Sequence, residues 1–291
     1  MKPAPFDYHA PDSVEQALEL LRQYGDEARV LAGGQSLVPM LNFRLARPAV
    51  LIDINGVAGI DAIAAGEGAL RFGALVRERA AERSTLVRQR SPLLAAALPW
   101  IGHDAIRTRG TIGGSMAHAD PAAELPAVAI AAGARMTVRS AARGERIVAA
   151  DDFFQGYFST AIEPDEMLVE IEIPDSVPGT GVSFEEVARR QGDFAMVGAL
   201  AAVHLSDSGT VDDVRLALIS VAERAVRAAE AEASLMGIRP DARAFAEAGA
   251  LAVRDLEPAS DLHGTSAYRK HVAERLVRRA LANAVSRAGA K

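Results

Sequence analysis

Apolar positions recur at helical spacing near the start of this chain and at period two further along it. Val14, Ala17, Leu18 and Leu21 fall on one face of a 3.6-residue period, which predicts an amphipathic helix. Ser13 supplies an N-cap, Gln16 stands three residues later as in a capping box, and Gly25 suits the position just past the helix end. Short buried strands are predicted at 29–31, running into glycines, and at 49–54, running into the turn pair Asn55-Gly56. The opening segment therefore reads as a small α/β unit with a Gly-Gly loop at a strand end.

Residues 69–76 have strand character, and 77–87 and 91–102 read as helices, the second with Pro92 in its first turn. A second Gly-Gly loop follows. An Ala-rich helix then gives way to a strand at Arg135, and 145–154 continues in sheet-like fashion. In 165–174, Leu168, Glu170 and Glu172 alternate with Val169, Ile171 and Ile173, the period of a strand. The stretch 174–181, PDSVPGTG, is the best boundary. Beyond it, strands are expected in 182–190, 194–206 and 211–221, with a turn at Asp207-Ser208-Gly209, then helices at 224–236, 242–252 and 268–288. The fold class is α+β. The expected domains are 1–176, with subdomains at about 1–57 and 58–176, and 177–291, a three-stranded sheet followed by helices.

Composition narrows the chemistry. Of 291 residues, 49% are hydrophobic and 24% charged, which suits a packed chain and excludes a disordered one. The formal charge of −6 leaves no basic footprint for nucleic acid. With no cysteine, this chain builds no disulfide, thiolate zinc site or iron–sulfur cluster of its own. The opening MKPAPFDYHAPDS has no apolar core of a secretory signal, and the longest weakly polar run, 125–134, is too short for a bilayer. A cytoplasmic chain without a membrane span is expected.

The two glycine segments, AGGQSL at 32–37 and TIGGSMAHADPAAELP at 111–126, carry the candidate chemistry. Glycine lets backbone N–H groups approach a phosphate closely, and consecutive amides form an anion nest. Ser36, Thr111 and Ser115 add hydroxyls. One ligand bridging two subdomains explains both segments, while simple turn formation remains the alternative for each. No G-x-G-x-x-G follows a strand and no Walker sequence occurs. His118, Asp120 and Glu124 lie close together, but Pro121 interrupts a common helical face. Asp120 reads as a helix-start cap ahead of Pro121, and a carboxylate there also suits ribose hydroxyls. No metal site and no catalytic acid or base is expected on this chain.

AGGQSLVPMLNFRLARPAVLIDIN and TIGGSMAHADPAAELP, in this order, resemble the FAD-binding medium subunit of the molybdenum hydroxylases, a group that includes carbon monoxide dehydrogenase and xanthine dehydrogenase. DEMLVEIEIP, VARRQGDFAMVGALAAV and YRKHVAERLVRRAL extend the resemblance over nearly the whole chain. It implies a PCMH-like FAD-binding domain of two subdomains with an α+β domain after it. It also implies FAD contacts at Arg29, Val30, Leu31, Ala32, Gly33, Gly34, Gln35, Ser36 and Leu37, and at Thr111, Gly113, Gly114 and Ser115. Further contacts are implied at Ile101, His118, Asp120, Glu124, Met167 and Leu168. The position after Phe184, a Lys in some relatives, is Glu185, and Gln35 stands where carbon monoxide dehydrogenases often carry His, which points away from carbon monoxide as substrate. The implied partners are a large subunit with the molybdenum cofactor and a small subunit with two [2Fe-2S] clusters, in a dimer of heterotrimers. Electrons would pass from those clusters through FAD to an external acceptor. A self-contained FAD-dependent oxidase or dehydrogenase, and a non-redox nucleotide-binding scaffold, are the other readings.

Overall fold

The computed structural model describes residues 2–289. The outermost positions of the two expected domains, 1, 290 and 291, lie outside the described residues. The first unit contains β1 (Asp7–His9), α1 (Val14–Tyr24), β2 (Ala28–Leu31), α2 (Leu37–Asn42) and β3 (Val50–Asp53). Its three strands form a parallel sheet in the order β1-β3-β2, with Asp7 and Ala28 both level with Val50. Helix α1 starts as its sequence dictates: Ser13 Oγ accepts from the Gln16 amide at 3.3 Å. Gln16 Oε1 reaches back one residue further than a standard capping box and accepts from the Asp12 amide at 3.2 Å. Gly25, at φ 48°, ends the helix, and the apolar stripe of α1 packs on Val50, Ile52 and Ile54.

The second unit is a five-stranded antiparallel sheet in the order β4-β5-β10-β6-β7. It begins with β4 (Ile63–Ala65) and β5 (Ala69–Gly73). Six helices then intervene: α3 (Glu78–Arg83), α4 (Thr85–Arg90), α5 (Pro92–Ala97), α6 (Asp104–Arg109), α7 (Ile112–His118) and α8 (Glu124–Ala132). The chain continues through β6 (Arg135–Ser140), β7 (Gly144–Ala149), the short turn of helix α9 (Ala150–Phe153), the hairpin β8 (Phe154–Gly156) and β9 (Ser159–Thr160), and β10 (Glu166–Pro174). Leu70, Phe72, Met136, Val138, Ile171 and Ile173 face the helices in one core.

Three local expectations change here. The helix expected over 77–87 is two helices, because Ser84 leaves helical geometry and its Oγ caps α4 by accepting from Val87 N at 3.3 Å. The sheet expected over 145–154 yields to α9 after Ala149. The second Gly-Gly pair lies inside α7, whose N-cap is Thr111.

The C-terminal unit contains β11 (Gly181–Val187), β12 (Val197–Leu205), β13 (Val211–Ile219), β14 (Val226–Arg227), α10 (Ala229–Leu235), α11 (Ala242–Val253) and α12 (Ser266–Arg287). Its sheet runs β11-β12-β13-β14, all antiparallel. The fourth strand takes residues expected to begin a helix: Arg224 Nη1 donates to the carbonyls of Asp151 and Phe154, both at 2.9 Å, and holds this stretch extended. Period two gives the sheet two apolar faces. Val197, Ala199, Ala201 and Val203 pack on α10, α11 and α12, while Phe184, Leu200, Ala202 and Ile219 join the core of the second unit. Trp100 and Phe184 meet across this seam with ring centroids 5.9 Å apart.

Leu200 is fully buried at the seam. Its replacement by alanine is expected to cost about 2–5 kcal/mol, read as a lower midpoint in urea unfolding.

Candidate functional site

The first glycine segment packs against the chain just before the second. A Cβ built on Gly33 would overlap the carbonyl oxygen of Arg109 and lie 2.9 Å from Gly110 Cα. Gly34 has φ 74°, a left-handed conformation that glycine adopts without strain. In α7, a Cβ on Gly113 would lie 2.6 Å from Ala74 Cα, and one on Gly114 would lie 2.6 Å from Thr111 Oγ1. These glycines let β5, α7 and the first loop pack backbone to backbone.

The two segments differ in what they offer a ligand. Among the described residues, the amides of Gly33, Gly34, Gln35, Ser36 and Leu37 donate to no protein acceptor. Their carbonyls are engaged where the turn closes: Gly33 O accepts from Gln35 Nε2 at 3.1 Å and Gly34 O from Val38 N at 3.0 Å. The second segment spends its amides internally. Ile112 N donates to Val76 O, Gly113 N to Ala74 O, Gly114 N to Thr111 Oγ1 and Ser115 N to Thr111 O, all at 2.9–3.1 Å. The first segment is thus a nest of free donors, and the second is a rigid wall that carries the Ser115 hydroxyl. Two amide nests are the expectation from sequence, and the capped helix accounts for the difference.

Other candidate residues divide between the faces of the sheet. Ile101 and Leu168 share the large core with Met116 and Phe184. Met167 points to the opposite side of β10, among Val14, Leu18 and Ile52, so the side chains of Met167 and Leu168 do not line one surface. The Arg29 guanidinium turns back to the carbonyls of Asp26 and Ala28 at 3.1 and 2.7 Å. Val30, Leu31 and Ala32 carry β2 into the loop. Asp120 Oδ1 accepts from Ala122 N at 2.9 Å, capping the turn before α8; the helix itself begins at Glu124.

His118 stacks 5.1 Å from Phe158, and burial pushes its imidazole below its ordinary pKa against the opposing charge of Asp120. The loop after His118 is held under strain. Ala119 (φ 50°) accepts at its carbonyl from the amide of Phe158 (φ 50°) at 3.3 Å. Pro121 O accepts from the amide of Ser220 (φ 62°) at 2.9 Å. Three non-glycine residues in left-handed geometry therefore join this loop to the β8–β9 hairpin and the C-terminal sheet.

Sequence reasoning named Glu124 but missed the two other carboxyls buried with it, Glu78 and Glu186. Glu78 on α3, Glu124 at the start of α8 and Glu186 on β11 are 4%, 8% and 9% exposed. Glu78 Oε2 and Glu186 Oε2 have no hydrogen-bond partner among the described residues. Burial, reinforced by the charge of Glu124, raises Glu78 to about 8 and Glu186 to about 8. Burial also raises Glu124 to about 7, against a hydrogen bond from its own backbone. The buried Arg107 is occupied by Ile101 O at 2.8 Å and Glu82 Oε2 at 3.0 Å. Glu185, the residue singled out from sequence, faces the other way: it accepts from Asn283 Nδ2 at 2.7 Å and pairs with Arg279 at 2.6 Å. The acidic side chain of β11 that faces the second unit is Glu186.

Among the described residues no helix is long and apolar enough to cross a membrane, and no group of three or more His, Asp or Glu is arranged to hold a metal ion. A family model described as the FAD binding domain in molybdopterin dehydrogenase matches residues 4–176, and one described as the CO dehydrogenase flavoprotein C-terminal domain matches 182–284. The chain is 42% identical to the 6-hydroxypseudooxynicotine dehydrogenase complex subunit alpha of Paenarthrobacter nicotinovorans, over 99% of this chain and 97% of that one. It is 40% identical to the carbon monoxide dehydrogenase medium chain of Hydrogenophaga pseudoflava, over 97% of each. Among solved structures it is similar to carbon monoxide dehydrogenase from Hydrogenophaga pseudoflava at TM-score 0.96 and 41% identity, and to quinoline 2-oxidoreductase from Pseudomonas putida 86 at TM-score 0.94 and 39% identity; in both, 99% of this chain and 100% of the other are covered. Fold, free-amide loop and family models define a flavoprotein component of an oxidoreductase. The chain belongs to the family of FAD-binding medium subunits of the molybdenum hydroxylases.

Gly33→Ala is expected to force the two segments apart and cost about 1–3 kcal/mol in urea unfolding. The three buried carboxyls give a pH signature. They hold protons to about 7–8 when folded and lose them near their ordinary 4.5 when unfolded. The folded state binds more protons across that window, so their contribution to stability falls as pH rises through it and levels off above about 8. Glu186→Gln should therefore raise the melting temperature over the parent at about pH 8.5 and change it little at about pH 4.5.

Proposed function

We propose that this chain is the electron-transferring FAD subunit of a molybdenum hydroxylase, receiving electrons from two [2Fe-2S] clusters of a small partner and passing them to an external acceptor. The molybdenum cofactor sits on a large partner, and the complex works in the cytoplasm as a dimer of heterotrimers. The chain divides into an FAD-binding domain at 1–176 and an α+β domain at 177–291. Having no cysteine, it contributes no thiolate to a cluster.

The observation that carries this reading is the run of free amides from Gly33 to Leu37. Unpaired backbone donors gain most from an acceptor that brings several oxygens at once, and a dinucleotide diphosphate does so. In this reading the first loop donates to the diphosphate, and the Thr111–Ser115 segment closes the opposite side with the Ser115 hydroxyl. Asp120 and Glu124 accept from sugar or ribityl hydroxyls, His118 borders them, and Ile101 and Leu168 supply an apolar wall to a ring. FAD, when bound, accepts and releases the electrons. The protein's part is to bind it, orient it and keep water from one side; no acid or base on this chain takes part.

The full chain, purified alone, is expected to be yellow with FAD and to keep its flavin oxidised in the presence of the complex's substrate. Adding the two partner subunits should bring about flavin bleaching. A colourless chain that takes up no FAD on titration overturns the reading, and bleaching by substrate without partners would assign the chemistry to this chain instead.

A further inference from the structure

The Asn55 side chain stands between the two glycine segments. Its Nδ2 donates to the carbonyl of Ala32 at 2.8 Å and to Asp53 Oδ1 at 2.6 Å, and its Oδ1 accepts from Arg77 Nη2 at 2.6 Å. The other terminal nitrogen of Arg77 donates to the carbonyl of Arg109, the oxygen that leaves no room for a side chain at Gly33. Arg77 also forms an isolated β-bridge with Thr111. One amide and one guanidinium thus tie the first loop to the approach of the second.

The relay is anchored at its far end. Asp53 Oδ1 accepts from the Asn55 backbone amide at 2.9 Å, and Asp53 Oδ2 accepts from the Tyr8 hydroxyl at 2.6 Å. Burial favours a proton on Asp53, but these hydrogen bonds and the nearby Arg109 outweigh it and hold the carboxyl below its ordinary value. Asp53 therefore remains a charged acceptor that fixes which way the Asn55 amide faces.

In a trans peptide, C=O and N–H point in opposite directions. The Ala32 carbonyl and the Gly33 amide belong to one peptide group. By holding that carbonyl, Asn55 directs the Gly33 N–H the other way. The turn's own bonds do the same for its neighbours: the donor on Gly33 O sets the Gly34 N–H, and the donor on Gly34 O sets the Gln35 N–H. The Ala32–Gly33 peptide is the one whose carbonyl is held from outside the loop.

We propose that Asn55 and Arg77 are positioning residues of the nucleotide site: Asn55 aims the first amide of the nest at the diphosphate, and Arg77 locks that peptide in register with the second glycine segment. This rests on the reading that residues 33–37 take the FAD diphosphate.

The test uses the full chain stripped of flavin, titrated separately with FAD and with riboflavin, which lacks both phosphates. Asn55→Ala and Arg77→Lys should weaken FAD binding by about tenfold or more while riboflavin affinity stays within about twofold. Asn55→Asp keeps the acceptor toward Arg77 but loses the donor toward Ala32, and should match Asn55→Ala. Tyr8→Phe, which removes only the outermost bond, should bind FAD like the parent. Equal loss of FAD and riboflavin marks a general structural role and overturns the proposal, as does parental FAD affinity in Asn55→Ala. Failure of the parent chain itself to bind FAD sinks the functional reading instead. Should Asn55→Ala not fold, Arg77→Lys, which keeps the charge but not the two-pronged geometry, gives the same comparison.

Discussion

The structure depends on one close approach: the backbone of Gly33 against the backbone of Arg109 and Gly110. The first segment ends a strand of a parallel sheet, and the second begins a helix packed on an antiparallel one. Two layers meet backbone to backbone, at Gly33 on one side and at the Arg109 carbonyl and Gly110 on the other. A single methyl at Gly33 would keep them apart. The glycines of the second segment answer to other neighbours, Gly113 to the backbone of Ala74 and Gly114 to Thr111 Oγ1, so glycine recurs in both segments although only one of them offers free amides.

The site also separates its electrostatic tasks. In the proposed reading neutral backbone dipoles meet the diphosphate, so no buried cation has to be desolvated there. Three acidic side chains are buried instead, Glu186 on the face of β11 toward the second unit, Glu124 at the start of α8 and Glu78 against Gly110, and burial and mutual repulsion make them hold protons near neutrality. The seam is otherwise apolar, built by Trp100, Phe184, Leu200 and Ile219, and protonated carboxyls are far cheaper there than charged ones.

Helix α1, strand β10 and the long helix near the C-terminus were legible because their buried positions repeat at the period of the element. The glycine segments were legible because few backbones need paired glycines. Their unequal roles were not, since Thr111 turns the second pair into a helical turn through a cap that the sequence shows only as one hydroxyl among several. Nor was the facing of Glu185 and Glu186: adjacent strand residues always oppose each other, but which one meets the core depends on the side from which α12 packs. Asn55 showed in the sequence only as a turn residue, and Arg77 and Glu78 not at all, because Ala32, Arg109 and Gly110 are brought near them by the fold. The start of α10 was misplaced because the contacts of Arg224 outweigh helix propensity.

The strained loop after His118 has a mechanical side. Its carbonyls are the points where the β8–β9 hairpin and the end of β13 are fastened. Tyr157 and Phe158 project from that hairpin into solvent, each more than half exposed. The loop therefore ties the hairpin that carries those two rings, and the end of β13, to the same few peptide groups that carry His118 and Asp120.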